Sequence, residues 1–230
     1  MALAVLQGLY SQNGPHLHYT TPWELLVATV LAAQCTDARV NMVTPALFKR
    51  LPSPAHFAAV PQAELEELIR STGFYHNKAK HLIAAAKKVV NNFNGQVPDN
   101  MQDLTSLDGV ARKTANVVLN SAFGKNEGLA VDTHVGRISY RLGLTKSTNA
   151  VIIERDLLPL FPQAEWGNVN HYMVSFGREV CKAQSPRCIA GGSLPPCPMQ
   201  TFCPQKGVGA KKSAAKSTAL KAKAKSKGRG

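Results

Sequence analysis

Four of the five cysteines fall in one C-terminal stretch, Cys181, Cys188, Cys197 and Cys203, while Cys35 stands alone among apolar residues. Thiolates are soft ligands, and crowding of this kind speaks for a metal ion or an iron-sulfur cluster rather than disulfides. Cys35 reads as a small buried hydrophobe. A second constellation is the run from Leu104 through Gly109 to Thr114: a helix end, a tight turn and a new helix start. A turn of this type points the first amides of the second helix outward with the positive end of the helix dipole. That suits a DNA phosphate and reads no base sequence. Taken alone, the fragment also fits an ordinary connection between helices.

Both constellations need rigid elements behind them. Ala79, Leu82, Ile83, Ala86, Val89, Val90 and Phe93 recur at helical spacing and predict an amphipathic helix that stops before Gly95. The segment from Glu24 to Gln34 is apolar nearly all round and predicts a central buried helix. Pro61 to Ser71, ended by Gly73, predicts a short surface helix with Leu65, Leu68 and Ile69 inward. Further helices are expected near 113–123, 134–142, 150–158 and 168–180. Strand-type alternation nowhere persists, so the expected class is all-α.

Around the turn, the chain resembles the endonuclease III family of helix-hairpin-helix DNA glycosylases, whose hairpin reads Leu-Pro-Gly-Val-Gly-Arg-Lys-Thr-Ala-Asn-Val-Val-Leu. The match is unbroken from Lys113 to Leu119, and Gly109, Val110 and Arg112 also agree. Asp108 replaces the usual Pro and Ala111 the second Gly, adding a charge and a methyl group where a phosphate should approach. Weaker phosphate binding by Gly109, Val110, Ala111 and Arg112 is expected. The family's Val-Asp-Thr-His follows as Val131 to His134. The resemblance implies that Lys113 attacks the sugar carbon C1′ and forms a Schiff base, with β-elimination of the 3′ phosphate. It makes Asp132 the second catalytic group and His134 a DNA contact. A nucleophilic lysine must be neutral near pH 7, so its environment has to act against a free-lysine pKa of ~10.4. Read singly, Lys113 is a solvated helix lysine and Asp132 a helix N-cap.

To expose C1′ the nucleotide must leave the stack. The family's Ser-Ala-Gln-Ala-Thr-Asp pattern appears as Ala32 to Asp37, and its Gly-Leu-Tyr-Asn-Ser-Lys-Ala pattern as Gly73 to Ala79. The resemblance makes Gln34 the filler of the vacated space and Phe74 a wedge, with Phe standing where Leu is usual. Its Cys-x6-Cys-x2-Cys-x5-Cys motif, which ligates one 4Fe-4S cluster, appears here with eight residues in the middle spacing. The surplus, within Ile189 to Pro196, is rich in Gly and Pro and can loop out. Cys181, Cys188, Cys197 and Cys203 are therefore the expected ligands of a 4Fe-4S cluster with a structural role, zinc being the alternative. Arg178, Lys182 and Arg187 flank it as candidate phosphate contacts.

The implied architecture is two helical lobes with DNA between them, Lys113 and Asp132 coming from different sides. Residues 16–125 form a six-helix lobe carrying the hairpin, and residues 1–15 with 126–205 form the cluster lobe. Residues 206–230, rich in Lys, Ala and Ser without apolar periodicity, are expected to be a disordered basic tail. Lys and Arg number 27 against 14 Asp and Glu, and residues 206–230 hold nine of the basic residues and no acid. The rest is only +4. Double-stranded DNA with a damaged base or abasic site is the expected partner, with salt-sensitive affinity supplied by the tail. The first basic residue is Arg39 and no apolar run approaches the ~20 residues of a membrane span. A soluble, intracellular, nucleoid-associated monomer without membrane contact is expected. The implied activity is a bifunctional glycosylase and AP lyase for oxidised or otherwise damaged pyrimidines. An AP lyase, a pyrimidine-dimer glycosylase and a non-catalytic damage-binding protein are the competing readings.

Overall fold

The structure is a computed structural model that describes residues 1–11, 16–188 and 195–204. The expected loop-out after Cys188 lies largely outside the described residues, and the basic tail lies wholly outside them. Among the described residues there are α-helices and short 3-10 turns and no strand, as expected for the all-α class. In chain order the helices are α1 (Ala2–Tyr10), α2 (Pro22–Leu31), α3 (Asp37–Arg50), α4 (Pro54–Ala59), α5 (Gln62–Ile69) and α6 (Tyr75–Asn92). They continue with α7 (Met101–Ser106), α8 (Arg112–Phe123), α9 (Thr133–Arg141), α10 (Ala150–Leu157) and α11 (Trp166–Glu179).

Two compact units divide the chain. One, the hairpin unit, comprises Asn13–Ala130 and Pro162–Gly167; the other, the cysteine unit, comprises Met1–Gln12, Val131–Phe161 and Asn168–Gly230. The short return of Pro162–Gly167 to the hairpin unit was not foreseen from sequence. It is secured there by Gln163 Nε2 donating to the Asn126 carbonyl at 3.0 Å.

In the hairpin unit the centre is α2. Pro22 opens it, Thr21 Oγ1 caps the Glu24 amide at 3.2 Å, and the Glu24 carboxylate reaches back to the Thr20 amide and hydroxyl. Trp23, Leu25, Leu26, Val27, Ala28, Val30 and Leu31 are all buried, as a helix apolar on every side must be. Trp23 meets Phe57 of α4 edge to face, with ring centroids 5.3 Å apart. The long α6 lays Ala79, Leu82, Ala85, Ala86 and Val89 into the same core, along the stripe read from sequence.

Helices α1, α3 and α4 had no sequence signal strong enough to assign. Helix α4 is six residues long, too short to show a stripe, and buries Pro54 and Phe57. Helix α3 buries only Val40, Thr44 and Leu47, a stripe one residue wide per turn, and contains Pro45. Its start is nonetheless defined, because Thr36 Oγ1 accepts from the Arg39 amide at 3.3 Å. Helix α1 buries only Leu6 and Tyr10, whose hydroxyl donates to Glu179 Oε2 of α11 at 3.2 Å. The Tyr10 phenol is pushed up, first by burial and then by the Glu179 charge.

Candidate functional site

Helices α7 and α8 form the hairpin. Leu104, Leu107 and Val110 are buried and anchor it from below, each contributing about 1.5–3 kcal/mol of burial. The turn closes with the Val110 amide donating to the Leu107 carbonyl at 3.2 Å, and Gly109 has φ +76°. A Cβ at Gly109 would also come within 2.9 Å of His81 Cβ on α6, so both backbone and packing require glycine. Lys88 Nζ donates to the Ser106 carbonyl at 2.8 Å and closes the end of α7. Asp108, Gly109, Ala111, Arg112 and Lys113 are exposed, whereas Val110 serves the core through its side chain. The N-cap of α8 is Ala111, which offers no side-chain hydrogen bond, and Lys113 stands on the first turn that follows. This is a helix start with its dipole available to a phosphate.

Asp132 is half-buried in the cysteine unit and caps α9, its Oδ1 accepting from the His134 and Val135 amides at 2.8 Å each. His134 Nδ1 lies 3.0 Å from Arg137 Nη2, and a Cβ on Gly177 of α11 would collide with both groups. Arg137 donates to the carbonyls of Gly177 and Cys181, each at 3.2 Å. One turn later, Arg141 donates to the carbonyls of Lys182 and Ala183 at 2.8 Å and to Cys181 Sγ at 3.3 Å. Helix α9 thus carries Asp132 at its start and braces the first cysteine at its end. Sequence reasoning passed over Arg137 and Arg141, although their i, i+4 spacing after Asp132 placed them on one face.

Cys181, Cys188, Cys197 and Cys203 line one recess of about 410 Å3, counting its open mouth. Its walls include Ile138, Leu142, Phe176, Val180 and Met199. Among the described residues no three His, Cys, Asp or Glu side chains converge on a point where one metal ion would sit. Of the flanking cations, Arg178 and Lys182 are exposed, whereas Arg187 is half-buried with its Nε enclosed and without a hydrogen-bond partner.

Gln34 and Phe74 share an uncommon backbone. Among the described residues only Gln34 (φ +55°), Phe74 (φ +49°) and Asn94 (φ +52°) are non-glycine residues with positive φ. Such a conformation costs of order 1–3 kcal/mol in a side-chain-bearing residue and persists only where the surroundings impose it. Gln34 is exposed in the turn after α2, and Phe74 is 62% exposed at the start of α6. An aromatic ring left this open is not serving the core.

Residues 27–163 match the model of the HhH-GPD superfamily of base excision DNA repair proteins. Endonuclease III of Synechocystis sp. is 51% identical over 202 residues, which is 88% of this chain and 90% of that protein. The chain belongs to the endonuclease III family. The structure of a non-covalent endonuclease III-DNA complex superposes with a TM-score of 0.82 at 41% identity, covering 89% of this chain and 93% of that one. A trapped endonuclease III-DNA covalent intermediate, with an estranged adenine, gives 0.81 at 42% identity with the same coverage. As an endonuclease III relative, the chain is a base excision repair enzyme, a DNA glycosylase with AP lyase activity. No helix among the described residues is long and apolar enough to cross a membrane.

Proposed function

We propose that this endonuclease III relative binds damaged double-stranded DNA and removes damaged pyrimidines with Lys113 as nucleophile and Asp132 as its acidic partner. The observation that carries the assignment is the placing of Lys113, an exposed amine on the first turn of a helix whose start has no side-chain cap. The amine lone pair forms a bond to C1′ while the glycosidic bond breaks and its electrons leave with the base. Loss of the nitrogen proton and opening of the sugar yield an imine. Removal of a C2′ proton then expels the 3′ phosphate, and water releases Lys113. Asp132 stabilises the cationic sugar and assists proton transfer, while its cap bonds hold the carboxylate in one orientation. A relative captured as a trapped covalent intermediate with DNA supports the covalent route.

DNA phosphates are held by the hairpin turn through Gly109, Ala111 and Arg112, while Val110, whose amide is taken by the Leu107 carbonyl, anchors that turn from the core, and His134 is a further DNA contact. Gln34 fills the gap left by the extruded nucleotide, and Phe74 enters the stack as the wedge. Their exposure and imposed backbone support this, as does the estranged adenine in the relative.

The four cysteines are assigned to a 4Fe-4S cluster. Four thiol groups around one apolar-walled recess, in the order and with the outer spacings of the family's cluster motif, support this assignment. When bound, the cluster supplies a structural tie between α11 and the C-terminal segment. Arg141 would stand as a charge-assisted donor to one of its thiolates.

Borohydride trapping tests the chemistry. Wild-type protein should form a covalent complex on a thymine glycol duplex and on an abasic duplex, and Lys113→Gln on neither. Trapping confined to the abasic duplex would reduce the activity to a lyase. Binding without trapping would favour a damage sensor, the reading that the altered hairpin at Asp108 and Ala111 motivates.

A further inference from the structure

Lys78 is the one lysine among the described residues that is buried, at 5% exposure, although it lies only four residues beyond the wedge. Its Nζ donates to the Leu31 carbonyl at 2.8 Å and to the Thr72 carbonyl at 2.9 Å. Leu31 is the last residue of α2, and the turn bearing Gln34 follows it. Thr72 is the last residue of the 3-10 turn Arg70–Thr72, and Gly73 and Phe74 come next. The Lys78 amide, for its part, donates to the Phe74 carbonyl at 3.1 Å.

Both carbonyls are at helix C-termini, where acceptors are left over and the dipole favours a cation. The Leu31 carbonyl would ordinarily receive the Cys35 amide, but that amide turns back to the Ala32 carbonyl at 3.1 Å. Burial lowers the Lys78 pKa, with the adjacent Cys35 acting in the opposite sense. A desolvated cation kept at such a position needs acceptors that are held in place, and it holds them in return. Gln34 and Phe74, with their positive φ, both lie within three residues of a pinned carbonyl. The hydrogen bond to Leu31 spans 47 residues of chain, so no local turn geometry could couple the two segments in its stead.

We propose that Lys78 is a positioning residue for base extrusion, a buried ammonium that ties the Gln34 turn to the Phe74 turn so that both side chains enter the duplex together. The inference rests on the reading that Gln34 and Phe74 are the groups that enter. Lys78 touches neither DNA nor the reacting atoms, and its effect is confined to substrates in which a base must be extruded.

The test is a cycle of Lys78→Met, Gln34→Ala with Phe74→Ala, and all three together, each checked for folding by thermal melting. Excision of thymine glycol from a duplex by Lys78→Met should slow by about tenfold or more. Borohydride trapping on a single-stranded abasic oligonucleotide, where nothing needs extruding, should change by less than about twofold. In the background lacking both wedge side chains, Lys78→Met should add no further slowing. Slowing that persists undiminished in that background, or equal loss of single-strand trapping, would overturn the positioning role. Wild-type excision by Lys78→Met beside slow excision by the Gln34/Phe74 variant would overturn it alone. Wild-type excision by the Gln34/Phe74 variant would remove the wedge reading and this inference with it. If Lys78→Met does not fold, Lys78→Arg, which keeps the charge but displaces the donor, carries the same comparison.

Discussion

The Asp132 carboxylate both caps α9 and, in the proposed mechanism, serves the reacting sugar, and two substitutions separate the roles. Asn is as good a cap as Asp, so Asp132→Asn should melt close to wild type while glycosylase turnover falls by about two orders of magnitude or more. Asp132→Ala should lose the same activity and about 1 kcal/mol of stability besides, read from chemical denaturation. At Phe74 the backbone sets a contrary expectation. With φ at +49°, Phe74→Gly should be more stable than Phe74→Ala by about 1 kcal/mol, the reverse of the order inside a helix. Both variants lose the ring, so both should slow excision from duplexes, and a rate equal to wild type in either would argue against the wedge.

At the scale of elements, the packing of α6 against the hairpin turn carries a separable steric contribution. Gly109→Ala meets both the positive φ and His81 Cβ, and should cost about 2–4 kcal/mol and weaken DNA binding. Adding His81→Ala leaves that Cβ in place while removing the ring atoms at 3.2 Å, so it should recover only part of the loss in a melting experiment. Helices α9 and α11 meet with less room still. A methyl group at Gly177 would displace His134 and Arg137, the latter bonded to the Gly177 and Cys181 carbonyls. Gly177→Ala should therefore lower the melting temperature and, on the proposed 4Fe-4S assignment, the iron retained per chain after purification, whereas retention at the wild-type level would show that the contact at Gly177 is not needed to hold the cluster.

At the scale of the whole molecule, charge is divided unequally along the chain, with nine basic residues and no acid in residues 206–230. Each DNA phosphate neutralised by that segment adds about 0.9 to the slope of log affinity against log salt. Truncation after Gln205 should make the slope shallower in proportion to the number of phosphates the segment neutralises, with turnover on saturating DNA unchanged. An unaltered slope would leave the segment a solubilising one.

Local pattern was sufficient wherever a signal is carried by side chains close in sequence. Wide apolar stripes marked α2 and α6, whereas the narrow stripe of α3, interrupted by Pro45, did not distinguish a helix from a loop. Matched motifs singled out Lys113, Asp132, Gln34, Phe74 and the four cysteines, because the chemistry expected of them depends on residue type and order. Gathering the cysteines around one recess depends on α9 and α11, which supply much of its wall. The left-handed backbone at Gln34 and Phe74 was invisible, since neither is a residue type that announces positive φ. The burial of Lys78 carries no signal in the sequence, for a deeper reason. Its partners are main-chain carbonyls, which every residue possesses, so no sequence pattern encodes them; only the tertiary approach of α2, the 3-10 turn and α6 decides which carbonyls an ammonium will find.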